Sequence, residues 1–90
     1  MATVRIPTQL RTLSGGAAEV AVTGGTVAEV LAGLETAHPG FQARLFDDGG
    51  QLRRFVNVFV AEEDVRFLKG LDTTVTDGTT VSIIPAVAGG

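Results

Sequence analysis

Two glycines, Gly89 and Gly90, follow the run Pro85-Ala86-Val87-Ala88, and together these residues make a tail without charge and almost without side-chain bulk. The group such a tail offers to chemistry is the main-chain carboxylate of Gly90. Glycine has no Cβ and takes backbone conformations closed to other residues, so the pair can thread a narrow channel and present a carboxyl to a nucleotide held by another enzyme. A glycine pair at an arbitrary chain end is commonly only a frayed terminus. The residues before it favour the chemical reading. Thr80-Val81-Ser82-Ile83-Ile84 is β-branched and alternating, which predicts a strand. Pro85 cannot donate to a ladder, so pairing is expected to end there. The six residues after Ile84 extend at most about 20 Å. A rigid sheet would then hold a thin, flexible arm long enough to enter a partner's active site, and Gly90 serves this chemistry equally as an encoded end or as one exposed by processing.

Other chemistries find little support. The chain has 90 residues and no cysteine, which excludes disulfides, thiolate metal sites and a cysteine nucleophile. His38 is the only histidine, and beside Pro39-Gly40 it reads as a helix-end residue, since metal sites and triads need several convergent groups. No metal ligand is therefore assigned. A net charge of −3 argues against a nucleic-acid surface and suits steering toward a basic partner face. No apolar stretch reaches membrane-spanning length and residues 1–10 lack a signal-peptide layout, so a cytoplasmic protein, monomeric when free, is expected. One small domain of this size has little room for an internal active-site cavity.

The elements that must position the tail follow from periodicity. Residues 3–10 begin as a strand with Val4 and Ile6 on one face and loosen at Pro7. Ser14-Gly15-Gly16 is a turn, and Glu19-Val20-Ala21-Val22 is a second strand forming an antiparallel hairpin with the first. Thr26 with Glu29 makes a capping box, opening a helix whose Val27, Val30, Leu31 and Leu34 form one buried stripe while Glu29 and Glu35 face water. His38-Pro39-Gly40 ends it. Phe41 to Phe46 reads as a short helical turn burying Phe41 and Leu45, and Asp47-Asp48-Gly49-Gly50 as a loop. Phe55 to Val60 is the strongest strand signal, with Val56, Val58 and Val60 assigned to the core. Glu62-Glu63-Asp64 is an acidic turn, Val65-Arg66-Phe67 a short edge strand, and Asp77-Gly78 the turn into the last strand. This order predicts an α+β fold, one mixed sheet covered by one main helix, with a β-grasp domain over residues 1–84 and a tail over 85–90. A ferredoxin-like arrangement needs a second full helix, which the pattern lacks.

On these segments the chain resembles the ubiquitin-like sulfur carrier proteins, a family that includes the small subunit of molybdopterin synthase, the thiamin sulfur carrier and the CysO-type carriers. The resemblance covers essentially the whole chain. It rests on Arg54-Phe55-Val56-Asn57-Val58-Phe59-Val60, Glu63-Asp64-Val65-Arg66-Phe67, Gly70-Leu71-Asp72-Thr73, Asp77-Gly78 and the end Pro85-Ala86-Val87-Ala88-Gly89-Gly90. The middle segments look closest to CysO-type carriers. Ala61 stands where such carriers often have Asn, Thr74 where Pro is common, and Thr79 where an acidic residue often follows the Asp-Gly turn.

The resemblance implies a protein cosubstrate rather than an enzyme. A ubiquitin-activating-type adenylyl/sulfurtransferase would use ATP to convert the Gly90 carboxylate to an acyl-adenylate, and a sulfur donor would displace AMP to leave a thiocarboxylate. For a CysO-type carrier the recipient would be a pyridoxal-phosphate-dependent cysteine synthase holding an aminoacrylate. The thioester so formed rearranges to an amide, from which a zinc metallopeptidase releases cysteine. ATP, pyridoxal phosphate and zinc would all belong to the partners, with no cofactor held by this chain. Molybdopterin, thiamin or another sulfur-containing product would require a different sulfur-accepting synthase, and conjugation to lysines as a ubiquitin-like modifier would use the same activated carboxyl. A plain binding module with an inert tail is the remaining alternative.

For docking, outward-facing Ile84 with Phe59 and Pro7 would form an apolar patch beside the tail, to be engaged together with Pro85, Ala86, Val87, Ala88 and Gly89. The same pattern also fits a Phe59 packed on a loop and an Ile84 that is one of the scattered apolar residues every surface carries. Arg54, Arg66 and Lys69 would face an acidic partner rim or stand as solvated surface charge.

Overall fold

The computed structural model describes residues 1–53 and 56–85. Among these, five strands form one sheet: β1 (Ala2–Arg5), β2 (Glu19–Val22), β3 (Val56–Val60), β4 (Glu63–Asp64) and β5 (Thr80–Pro85), in the order β2-β1-β5-β3-β4. β1 and β2 form the expected antiparallel hairpin, with Val4 opposite Val20. β1 and β5, the first and last strands, pair in parallel, with Val4 opposite Val81, and β3 runs antiparallel along the other side of β5. A helix α1 (Val27–Ala37) and a short α2 (Phe41–Leu45) complete the fold. A parallel pair at the middle of a mixed sheet with one main helix is the ubiquitin-like β-grasp arrangement.

The helix begins where its side chains demand. Thr26 Oγ1 accepts from the Glu29 N–H (3.2 Å), and the Glu29 carboxylate reaches back to the Gly25 N–H (2.7 Å), one residue before the usual capping-box partner. The first helical N–H, that of Val27, donates to Thr73 O, while Val75 N–H donates to Gly25 O, so the loop before β5 is tied to the helix start. The predicted stripe of Val27, Val30, Leu31 and Leu34 is buried against Val4, Val58, Val81 and Ile83 of the sheet. On the helix side of the neighbouring edge, Gly33 lets α1 approach β2. A Cβ there would fall 2.5 Å from Val22 Cγ1.

Two local expectations are corrected. Glu35 does not simply face water: its carboxylate accepts from the N–H groups of Gly40 (3.0 Å) and Gln42 (2.6 Å). Gly40 has no side chain to cap α2, so an acid from the preceding helix satisfies donors that the short helix leaves open. Val65-Arg66-Phe67 is a 3₁₀ turn instead of an edge strand, and the edge strand is the preceding Glu63–Asp64. Asp64 Oδ1 accepts from the Arg66 N–H (2.8 Å), which bends the chain inward and buries Val65 while Phe67 stays 87% exposed.

Candidate functional site

β5 (Thr80–Pro85) is the last described element before the residues that the sequence assigns to the tail. Flanked by β1 and β3, it buries Val81 and Ile83 and turns Ser82 and Ile84 to the face away from the helix. Its last residue, Pro85, stands opposite Val56. The Ala61 N–H donates to Thr80 O (2.9 Å), so the alternation of an antiparallel ladder makes Phe59/Ser82 and Asn57/Ile84 the hydrogen-bonded pairs and Val56/Pro85 a non-bonded one. Proline's missing N–H therefore costs the β3–β5 ladder nothing, and Pro85 is tolerated as the last paired residue. The sequence-assigned residues Ala86, Val87, Ala88, Gly89 and Gly90 lie outside the described residues, as do Arg54 and Phe55.

The helix-free face beside this exit carries a groove of about 570 Å³. Pro7 and Ile84 both line it, and Ile84 is 48% exposed. Phe59 lies on the same face and is half-buried. It stands opposite Ser82, diagonal to Ile84, and does not line the groove. Two of the three patch residues are thus brought together and the third adjoins them. The groove rim also holds Arg5 and Arg11, which the sequence reading did not single out. The signal for Arg5 was present: the period of two that buries Val4 and Ile6 must turn Arg5 outward. Arg5 lies 4.0 Å from Glu19 in an exposed pair, and Arg11 Nε donates to Ile6 O (3.1 Å).

Of the cations that were singled out, Lys69 is exposed and Arg66 is engaged within the chain. The Arg66 guanidinium donates from Nη1 to Asn57 Oδ1 (2.6 Å) and from Nη2 to the carbonyls of Val56 (2.9 Å) and Arg53 (3.0 Å). At the opposite end of the sheet, the Met1 amino group donates to Asp77 Oδ1 (2.7 Å), and this hydrogen bond, reinforced by the ammonium charge, holds the Asp77 carboxyl below the usual carboxylate range. Among the described residues, no three His, Asp or Glu side chains stand together as a metal site would need, and no helix is long and apolar enough to cross a membrane. The groove offers two arginines, one glutamate and otherwise neutral or apolar side chains, which suits binding better than proton transfer.

Comparison with known proteins agrees with this geometry. The ThiS family model matches residues 4–90. The sulfur carrier protein CysO of Mycobacterium bovis is 49% identical over 90 residues, spanning 98% of this chain and 97% of the relative. In the crystal structure of the Amycolatopsis orientalis BexX/CysO complex, a chain 50% identical superposes with a TM-score of 0.94 over 100% of both chains. Small archaeal modifier protein 3 of Haloferax volcanii is 42% identical over 65 residues, 72% of this chain and 70% of the relative. A β-grasp whose central strand runs out toward a Gly-Gly end, matched along nearly its whole length, places this chain in the ThiS family of ubiquitin-like sulfur carriers.

Proposed function

We propose that this chain is a sulfur carrier consumed and regenerated as a cosubstrate, with the carboxylate of Gly90 as the site of chemistry and cysteine as the product it serves. The observation that carries this reading is the near full-length identity to CysO in a chain whose central strand ends at Pro85, five residues before Gly90. A carboxylate resists nucleophiles because it is anionic and oxide is a poor leaving group. A carboxylate oxygen of Gly90 attacks the α-phosphorus of ATP in the partner and pyrophosphate departs. The mixed anhydride then loses AMP to a sulfide-level donor, and the sulfur stays on the carbonyl as an anionic, soft nucleophile. Gly89 keeps the approach free of side chains. Ala86, Val87 and Ala88 fill the channel, and Pro7, Phe59 and Ile84 dock the domain. A relative of this type in complex with BexX supports docking on a partner enzyme. The acceptor of the sulfur is a pyridoxal-phosphate synthase, and a zinc metallopeptidase frees the product.

The test is incubation with an adenylating enzyme of the ubiquitin-activating type, ATP and a sulfur source, followed by intact mass measurement. Replacement of one oxygen by sulfur at Gly90 is expected, and an unchanged mass counts against the proposal. The identity to an archaeal modifier favours one second reading, conjugation of Gly90 to lysines. Recovery of isopeptide-linked Gly90 from cells would select it.

A further inference from the structure

β4 is two residues long and covers only Phe59 and Val60 of β3. Among the described residues, the first half of β3 therefore has β5 on one side and no strand on the other. Because Val56/Pro85 is a non-bonded pair, the Val56 carbonyl points away from β5, toward the side that β4 does not reach. An uncovered strand edge frays unless its polar groups find partners. Arg66, two residues after β4, takes the place of the missing strand: Nη2 donates to Val56 O and Arg53 O, and Nη1 to Asn57 Oδ1. The side chain is itself held in place. Buried Val65 anchors the 3₁₀ turn on one side of it and the Asp64 carboxylate receives its backbone N–H. The planar fork of the guanidinium spreads its donors over two nitrogens and so reaches two carbonyls and an amide oxygen at once, a geometry that a single ammonium nitrogen does not reproduce.

Val56 and Asn57 are the residues that pair with Pro85 and Ile84, the last two of β5. We propose that Arg66 is a positioning residue that clamps the start of β3 and so fixes the point at which the tail leaves the sheet. This rests on the reading of Gly90 as the reacting end. When the clamp is lost, Ile84 and Pro85 peel from β3, the arm lengthens, and a docked carrier presents its carboxyl to the nucleotide less often.

Two measurements test it. In Arg66→Ala, amide exchange at Asn57 and Ile84 should quicken roughly tenfold, the scale of losing a charge-assisted hydrogen bond, while Val30 and Leu34 in α1 exchange as in the parent. In ATP–pyrophosphate exchange with the adenylating enzyme, kcat should fall about three- to tenfold with KM for the carrier unchanged, because the loss is felt after docking. General destabilisation would instead quicken exchange in α1 and raise the apparent KM through loss of folded substrate. Arg66→Lys, which keeps the charge but not the fork, should fall between the two and covers the case of an unfolded alanine variant. Parental exchange at Asn57, or parental kcat, overturns the proposal. A parent chain that supports no pyrophosphate exchange overturns the reading of Gly90 instead, and amide exchange at Asn57 still decides whether the clamp exists.

Discussion

Ala61 carries a φ of 57° in the two-residue turn between β3 and β4, the one non-glycine residue with positive φ among the described residues. Its N–H is held by Thr80 O, so the backbone cannot relax without losing a ladder bond. An alanine Cβ in the left-handed region costs roughly 1 kcal/mol, and asparagine tolerates it better through local hydrogen bonding. Ala61→Asn should therefore raise stability by about 0.5 kcal/mol, read as a higher urea midpoint with an unchanged slope. The sequence marked this position as a departure from similar carriers, but nothing in the residue types disclosed the dihedral that makes it one. Asp77 was equally opaque. Its partner is an amino group 76 positions away, brought alongside by the β1–β5 pairing. Its carboxyl is held low, so its contribution is complete above the unfolded carboxylate value and is lost as pH falls through the depressed folded value. Asp77→Asn should lower the urea midpoint slightly above about pH 4, and the two curves should meet in stronger acid. A difference that persists there would mean that Asp77 acts through something other than this charge.

Elements were legible where a period of two or 3.6 had one buried face to satisfy. β1, β3, β5 and α1 each bury the residues their alternation or stripe singled out, with Val60 only half-buried at the end of β3, whereas β2 buries Val22 and leaves Val20 half-buried. Of the short elements, the helical turn at Phe41 was legible and the segment after Asp64 was misread, and in both a single side chain contributes a cause that the local pattern does not disclose. Val65-Arg66-Phe67 alternates as a strand would, yet the Asp64 carboxylate turns it into a 3₁₀ helix. α2 has five residues, too few to persist on its own propensity. It is held by burial of Phe41 and Leu45 and by the Glu35 carboxylate on its first N–H groups. Glu35→Ala should cost about 1 kcal/mol. Because the loss is local, amides of α2 should gain exchange more than those of β5. Equal protection in α2 with and without Glu35 would show that packing alone holds that helix.

For the molecule as a whole, the proposed reading separates two functions along one strand: up to Pro85 the chain is the surface to be recognised, and beyond it lies the part that reacts. The outward row Glu19, Arg5, Ser82, Phe59 and Asp64 crosses the sheet from edge to edge through the paired registers, with Ile84 and Pro7 beside its centre. The apolar residues lie nearest the exit of β5 and the charged ones toward the edges, the usual plan of an interface with a dry centre and a polar rim. Ile84 belongs to the surface while its neighbours Val81 and Ile83 belong to the core, so a charge at position 84 tests docking without testing the fold. Ile84→Asp should keep the parental thermal midpoint and raise KM for the adenylating enzyme roughly tenfold, the scale of a central interface anchor. Its kcat at saturation should be nearly that of the parent, since the Arg66 clamp and the tail are untouched. Removal of Gly90 should do the reverse: the shortened chain docks and competes with the parent but yields no thiocarboxylate. A KM unmoved by Ile84→Asp would place the recognised surface elsewhere, the exposed Phe67 beside β4 being the next apolar side chain to test.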